Sequence, residues 1–459
     1  MARGHRRPKK NLRFTILLET IRDAFLKIPD KRDPEKIEYQ ISDIYLAAFA
    51  IFFFQDKSLL EFQRQLQIRL RSYNLLTVFG VSQVPQDSQL RDVIDSHSYE
   101  TILKIFKDFF SRLQRAKYLD AFQVFGGYYL VTIDGSEYFS SKKLECTKCL
   151  TKEHKNGTTT YQHQILQATI VHPDKKQVIP FAPEFIRNGD GGAKQDCETN
   201  AGKRLIHNIR KDHPHLPMII VGDSLYSKAP FVTELLRLKF SYILVAKPDD
   251  HKSLYADIEG LRKENLLDSH TITEKDKTYL YEWCNENYLT GSQDSPKTNF
   301  FQLTITNEDD NVIFRSAWVT DKAISHDNIV ELVRCGRARW KIENECFNTL
   351  KNQGYHIDHN FGHGKQNLSE ALFLLNMLAF FFHQIFELSD TMYQSARATF
   401  SAKSEFWNTI RAAFRLILFN SFEELMDRIN SPPELSAIQK KRLQESTRRR
   451  RGQGKLFPK

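Results

Sequence analysis

The sequence predicts a mixed α/β protein with helical regions at both ends and a β-rich insertion towards the middle. Apolar residues recur at helical spacing from residue 13 to about 125. From residue 126 to 250, short β-rich runs alternate with helical segments, which is typical of a mixed sheet. Residues 251–320 are polar and rich in strand-forming residues, which indicates an insertion before helical periodicity resumes.

The order of the predicted elements favours a sheet that starts as a three-stranded meander and continues with strands that alternate with helices. The expected core strands cover residues 126–133, 161–172, 176–182, 217–223 and 240–248, and the main expected helices cover 87–119, 197–211, 227–239, 325–353, 368–386 and 406–419.

The charge of the chain points to a polyanionic partner. Its 459 residues include 66 Lys and Arg against 56 Asp and Glu, a formal net charge of +10. Basic runs stand near both ends, "ARGHRRPKK" and "STRRRRGQGKLFPK", and such arms suit phosphate contacts. The alternative is that each arm is a solubility tail.

Cysteine content and hydropathy bear on the compartment. Six cysteines in so long a chain do not indicate a disulfide framework, and no signal peptide opens the sequence, so we expect a cytoplasmic protein. The apolar runs "IYLAAFAIFFF" and "ALFLLNMLAFFF" are shorter than the roughly 20 residues that span a bilayer. We therefore predict that they are buried core helices.

Two aspartates follow apolar strands of the predicted sheet. Asp134 ends the run in "VTIDGSEYF", and Asp223 ends "MIIVGD" just before a helix. An unpaired buried carboxylate is costly, so each acid needs solvent or a cation. A single aspartate at a strand end is usually a turn or cap acceptor. Two in one sheet predict a metal site.

The helix around Trp340 offers a third acid. Glu343 shares a helical face with Arg339, Trp340 and Phe347, at spacings of three and four residues. Glu345 lies about 200° away on the opposite face. We therefore predict that Glu343 points inward and keep Glu345 as the alternative.

Three convergent carboxylates are hard ligands that suit Mg²⁺ or Mn²⁺. Such a site can hold two ions that activate a nucleophile and stabilise the leaving oxygen of a phosphodiester. Arg339 is placed to contact a phosphate oxygen, or to pair with Glu343. Lys351 lies about 80° round the helix from Glu343, within reach of a DNA backbone through its long side chain.

The order Asp134 in "TIDGSEYF", Asp223 in "VGDSLYS" and Glu343 in "RWKIE" closely resembles the DDE transposases of bacterial insertion sequences, with the insertion-sequence-four type nearest. The resemblance covers about 126–390. It implies an RNase H-like catalytic core with a β insertion between the second Asp and the Glu.

The resemblance implies a function and a site. The function is cut-and-paste DNA transposition, with divalent metal held by Asp134, Asp223 and Glu343. The implied partners are transposon terminal inverted repeats and target DNA, bound by a homodimer in the bacterial cytoplasm at the nucleoid. The alternatives are a nuclease on the same fold, an inactive relative, or a non-catalytic DNA-binding protein.

The family's helix signature also bears on individual residues. Its Tyr position is Gly336 here, and Lys351 arrives one residue later than the family's lysine. A tryptophan of the insertion stacks on a flipped base in such proteins. Trp318 is the first candidate for this role and Trp283 the second, the alternative for each being an ordinary strand aromatic.

The changes in residue pattern along the sequence, together with the resemblance, divide the chain into five segments. They are a basic arm and helical DNA-binding region at 1–125, the first part of the RNase H-like core at 126–250, the β-rich insertion at 251–320, the second part of the core with the catalytic helix at 321–390, and a helical C-terminal region with a basic tail at 391–459.

A second cluster of metal-binding residue types follows the first catalytic strand. Cys146, Cys149, His154 and His163 offer two thiolates and two imidazoles at close spacing, which suits tetrahedral Zn²⁺. The alternative is a reduced hairpin with two free thiols.

Two further stretches carry polar residues near the predicted site. "GYHIDHNFGHGKQN" is loop-like, and we predict that Lys365 contacts DNA phosphate there. In "RNGDGGAKQDCETNAGKR", Asp196 is a possible helix cap and Glu198 a possible neighbour of the metals, and neither is assigned a role.

Overall fold

The computed structural model describes residues 9–188, 195–292 and 294–431. The predicted basic arms fall largely outside these ranges. Residues 9–115 form a helical region, as expected from the periodicity of this part of the chain. Its helices are α1 (Phe14–Phe25), α2 (Ile41–Phe53), α3 (Leu59–Leu66), α4 (Arg69–Phe79), α5 (Asp87–Ser96) and α6 (Glu100–Arg115).

The next part of the chain builds the core sheet and the two helices between its later strands. The strands are β1 (Gln123–Val124), β2 (Tyr128–Ser141), β3 (Leu150–Glu153), β4 (Thr159–Val171), β5 (Ile179–Pro180), β6 (Glu184–Ile186), β7 (Met218–Gly222) and β8 (Ser241–Val245); the helices are α7 (Glu198–Asp212) and α8 (Ala229–Arg237).

The pairing of these strands confirms the predicted mixed sheet. β4 runs antiparallel to β2 and also pairs with β5 and β6, which completes the meander. β7 then pairs parallel with β2, and β8 pairs parallel with β7. The return to parallel pairing follows from the crossover through α7 and α8. This arrangement is that of an RNase H-like fold.

The insertion extends this sheet rather than forming a separate one. It contributes α9 (Lys252–Lys263), β9 (Asp268–Glu274), β10 (Lys277–Tyr288), β11 (Lys297–Asn307) and β12 (Val312–Thr320). β12 pairs antiparallel with β8, with Trp318 opposite Val245, so twelve strands of the described part of the chain share one sheet. The strands of the insertion therefore continue the core sheet, and β12 covers the edge of β8.

The chain then returns to helices. α10 (Ile329–Arg337) is followed by a π-helical segment (Ile342–Phe347) and α11 (Asn348–Asn352), and the final elements are α12 (Leu368–Ser389), α13 (Thr391–Ala398), α14 (Lys403–Leu416) and α15 (Phe422–Asn430).

The helices of both ends pack around α12. Phe14 of α1 stacks on Phe422 of α15 with ring centroids 4.6 Å apart, and Phe53 of α2 meets Phe382 of α12 at 5.4 Å. By length and composition α12 is apolar enough to cross a membrane, with a mean hydropathy of 1.6, but 89% of its most apolar window is buried in the protein. The prediction of buried core helices is confirmed for α12 and for α2.

Candidate functional site

The register of β2 and β7 brings Asp134 and Asp223 to the same edge of the sheet. Thr132 lies opposite Val221 in the last parallel pair, and each aspartate follows two residues later. Asp134 is still within β2, on the same face as Thr132, whereas Asp223 directly follows the last residue of β7. β2 continues past Asp134 to Ser141, paired with β4. Asp134 therefore stands where its neighbour β7 ends.

Local hydrogen bonds hold the two aspartates differently. One oxygen of Asp134 accepts from the backbone N–H of Gly135 at 3.1 Å. Asp223 accepts from the N–H of Leu225 at 2.9 Å, in the turn that leads to α8. Each carboxylate keeps lone pairs for another ligand, because an ionised carboxylate has about four acceptor positions.

Glu343 lies in the helical segment after α10, and Arg339 connects it to Asp134. The Arg339 guanidinium lies 2.6 Å from Glu343 Oε1 and 3.9 Å from Asp134 Oδ2. Glu343 lies in the π-helical segment, whose wider turn is common at functional sites. The structure thus places Glu343 beside Asp134.

The reason for this placement differs from the one predicted. Phe347 is buried, but Trp340 is 44% exposed and the Glu343 side chain is itself exposed, more so than Glu345, so Glu343 does not point into an apolar setting as predicted. Glu345 interacts electrostatically with Lys341, whose Nζ donates to the backbone carbonyl of Lys175 at 2.7 Å.

Burial and like charges set the protonation of Asp134. The pKa of Asp134 is raised to about 7, mainly by burial, with Arg339 opposing the shift and Glu343, Glu198 and Asp223 adding to it. The four carboxylates therefore share one electrostatic neighbourhood. A divalent cation is the usual counter-charge for such a set.

Glu198 is the fourth carboxylate, to which the sequence analysis assigned no role. Its Oε1 accepts a hydrogen bond from the buried Tyr226 hydroxyl at 2.5 Å. Its Oε2 lies 2.6 Å from where a β-carbon on Gly135 would stand, directly after Asp134. Burial raises the pKa of Glu198, and Asp223 adds to the effect. The signal in the sequence was the glycine after Asp134, which leaves room for this side chain.

The predicted DNA-contacting residues have different surroundings. Lys351 is half-exposed, with its Nζ 3.8 Å from Asp358. Lys365 has an exposed side chain, and its backbone N–H donates to Asp95 at 2.8 Å. Both ammonium groups have access to a polyanion.

Trp318 does not fit its predicted role as a base-stacking residue. Its side chain is 2% exposed and stacks on Phe301 with centroids 5.3 Å apart. Trp283, the second candidate, is equally buried. Both lie on strands that pack against helices, so their rings belong to the core. Trp340, beside Arg339, is the exposed tryptophan of the four, all of which lie in the described ranges.

The predicted zinc ligands are only partly brought together. Cys146, Cys149 and His163 converge, and His363 joins them, with all four ligand atoms within 4.8 Å of one another. His154 instead faces Thr160 at 2.9 Å, at the far end of the β3–β4 hairpin. The prediction of His154 as a ligand is therefore wrong. His363 was missed because it lies 200 residues from His163 in the sequence.

Comparison with known families places the chain in a class. A family described as "Transposase DDE domain" matches residues 152–381, half of the chain. The protein therefore belongs to the DDE transposase family, which consists of DNA-cleaving enzymes. The match includes Asp223 and Glu343 and begins after Asp134.

Two other comparisons add context. Among solved structures, the cryo-EM structure of a piggyBac transposase synaptic complex with hairpin DNA is similar at 12% identity, with a TM-score of 0.42, covering 96% of this chain and 87% of that one. No curated protein matches the chain.

Proposed function

We propose that the protein is a cut-and-paste transposase of the bacterial insertion-sequence-four type, which cleaves DNA at transposon ends and joins the freed 3′ ends to target DNA. The observations that support this proposal are the positions of Asp134 and Asp223 beside the paired ends of β2 and β7 and the contacts of Arg339 with both Asp134 and Glu343, in a chain of the DDE transposase family.

The donor set fits divalent metal. Asp134, Asp223 and Glu343 offer only carboxylate oxygens, which suit Mg²⁺ or Mn²⁺ and not Zn²⁺. The raised pKa of Asp134 reflects burial among like charges, a cost that a cation offsets. Two bound ions would activate water or a 3′-hydroxyl and stabilise the leaving oxygen of a phosphodiester.

The neighbouring residues position DNA. Arg339 holds Glu343 towards Asp134 and offers its remaining N–H groups to a non-bridging phosphate oxygen. Lys351 and Lys365 supply ammonium groups for the DNA backbone. Two DNA ends must be held together for transposition, so we propose a homodimer in the synaptic complex.

A cleavage assay tests the proposal. Purified protein is incubated with a duplex that carries the terminal repeats of its own element, in Mg²⁺ or Mn²⁺. We expect strand cleavage and then joining to a second duplex, both lost in Asp134→Asn, Asp223→Asn and Glu343→Gln. Glu345→Gln, two residues from Glu343 on the same helix, is the matched control and should remain active.

Each other result points to a different conclusion. Cleavage that persists in Asp134→Asn and Asp223→Asn would overturn the site. Cleavage without joining would indicate a nuclease, and sequence-specific binding without cleavage would indicate a DNA-binding protein.

A further inference from the structure

The cluster of Cys146, Cys149, His163 and His363 is separate from the carboxylate site and has no part in the proposed reaction. We propose that these four residues bind one structural Zn²⁺ ion, which fastens the loop after the Glu343 helix to the strands that follow Asp134. The inference goes beyond the proposed function and does not depend on it.

The distances within the cluster match those of a tetrahedral zinc site. The two sulfurs are 3.7 Å apart, and the two Nε2 atoms are 3.2 Å apart. The sulfur–nitrogen separations are 3.6 Å from Cys146 to His163 and 3.5 Å from Cys149 to each histidine. In a tetrahedral site, Zn–S bonds of about 2.3 Å and Zn–N bonds of about 2.0–2.1 Å separate two sulfurs by about 3.8 Å, two nitrogens by about 3.3 Å, and a sulfur and a nitrogen by about 3.5 Å.

A disulfide does not explain the cluster. A sulfur–sulfur distance of 3.7 Å is far longer than the roughly 2.05 Å of a disulfide. A disulfide would also give no reason for both histidines to turn their Nε2 atoms towards the two sulfurs. Two thiolates and two neutral imidazoles balance the charge of one Zn²⁺ ion and satisfy all four groups.

The surroundings orient the ligands. The Nδ1 of His363 donates to the backbone carbonyl of Gly364 at 3.0 Å, which leaves Nε2 with a free lone pair. The rings of Tyr138 and Phe139 cover the imidazoles, with Phe139 4.6 Å from His363. Cys149 and His163 are buried. An apolar shell and a fixed tautomer are usual for metal-bound histidine.

The position of the site suggests what the metal does. Cys146 and Cys149 lie between β2 and β3, and His163 lies on β4, whereas His363 lies in the loop between α11 and α12. The same loop is held on its other side by Asp95 of α5, whose carboxylate accepts from four consecutive backbone N–H groups at 2.8–2.9 Å. Zinc would therefore fix the loop that carries Lys365.

Metal content of the purified full-length protein tests the proposal. We expect about one zinc per chain by mass spectrometry of the metals, and strong visible absorption when Co²⁺ replaces zinc, as tetrahedral thiolate sites give. Zinc content should fall in Cys149→Ser and in His363→Asn. Cys197→Ser, an exposed cysteine elsewhere, and His154→Gln should keep it.

Several results would overturn the proposal. One is a folded wild-type protein that takes up neither zinc nor Co²⁺. Another is a Cys146–Cys149 disulfide in protein purified in the presence of a reductant. A third is zinc loss in His154→Gln but not in His363→Asn. Circular dichroism identifies variants that fail to fold. Because wild-type uptake and the Co²⁺ spectrum need no variant and no DNA, they are independent of whether the protein transposes.

Hydrogen exchange then tests the fastening of the loop. Removal of zinc should speed exchange of the backbone amides at residues 361–364 and leave β10 and β11 unchanged. Equal exchange with and without zinc at residues 361–364 would contradict that part of the proposal.

Discussion

Trp318 lies directly against Gly336: a β-carbon on Gly336 would stand 2.8 Å from the indole Nε1. This contact joins β12 of the insertion to α10, the helix that leads to Glu343. A side chain at position 336 would therefore crowd the buried indole.

We expect Gly336→Ala to destabilise the protein by about 1–2 kcal/mol. Overpacking costs about 1–3 kcal/mol, and alanine regains at most about 1 kcal/mol of helix propensity. Urea denaturation measures the change. Trp318→Phe removes the indole nitrogen, so the double variant should lose less free energy of unfolding than the sum of the losses in the two single variants. Additive losses would show that the contact is not the cause.

Trp340 is expected to contact DNA rather than to support the fold. Its ring is exposed, it follows Arg339 in the chain, and the Lys341 ammonium lies 5.1 Å from the ring centroid. Stacking on a base is worth about 1–3 kcal/mol, so Trp340→Ala should weaken binding of a DNA end roughly 5- to 150-fold, with little loss of stability. Fluorescence anisotropy gives the affinity. Trp340→Phe keeps an aromatic ring and should retain most of the DNA affinity. An equal loss of affinity in both variants would argue against stacking.

Glu198 is expected to contribute to metal binding beside Asp134. Its carboxylate shares the electrostatic neighbourhood of Asp134 and Asp223 and is held by Tyr226. Glu198→Gln should therefore lower the affinity for Mn²⁺ about tenfold, equivalent to about 1.4 kcal/mol. Calorimetric titration of the DNA-free protein measures it. Glu345→Gln is the control, and a similar affinity for both variants would remove Glu198 from the site.

Acid should destabilise the protein in part through His213. Burial lowers the pKa of His213 to about 4, below its usual 6.5, where its ring packs 4.3 Å from that of Phe110. Asp212 opposes the shift, and Lys107 and Arg210 add to it. Between pH 6.5 and 4 the unfolded chain binds a proton that the folded chain does not, so stability falls as the pH falls through this window.

The His213→Gln variant should show a shallower loss of stability across this window. The free energy of unfolding, measured at pH 7, 6, 5 and 4, gives the slope. His215→Gln changes an exposed histidine two residues away and should behave like the wild type. An unchanged slope in His213→Gln would mean that other groups cause the acid sensitivity.

Much of the fold followed from local patterns. The apolar strands before Asp134 and Asp223, the helices between them and the burial of α2 and α12 were all predicted, because periodicity and apolar content act within one element. The burial of Trp318 and the position of His154 apart from the cysteines did not follow from the sequence, because both depend on how distant residues pack together. Trp318 is covered by α10, and His154 lies at the far end of its hairpin.

The sequence by itself determined the elements, the order of the acidic residues and the family they resemble, since these are properties of neighbouring residues and their spacing. Only the tertiary structure decided that Glu198 lies near Asp134, that His363 completes the cysteine–histidine cluster and that Gly336 packs against Trp318. Each of these depends on a contact between residues far apart in the chain, and sheet register and helix packing, not local preference, determine such contacts.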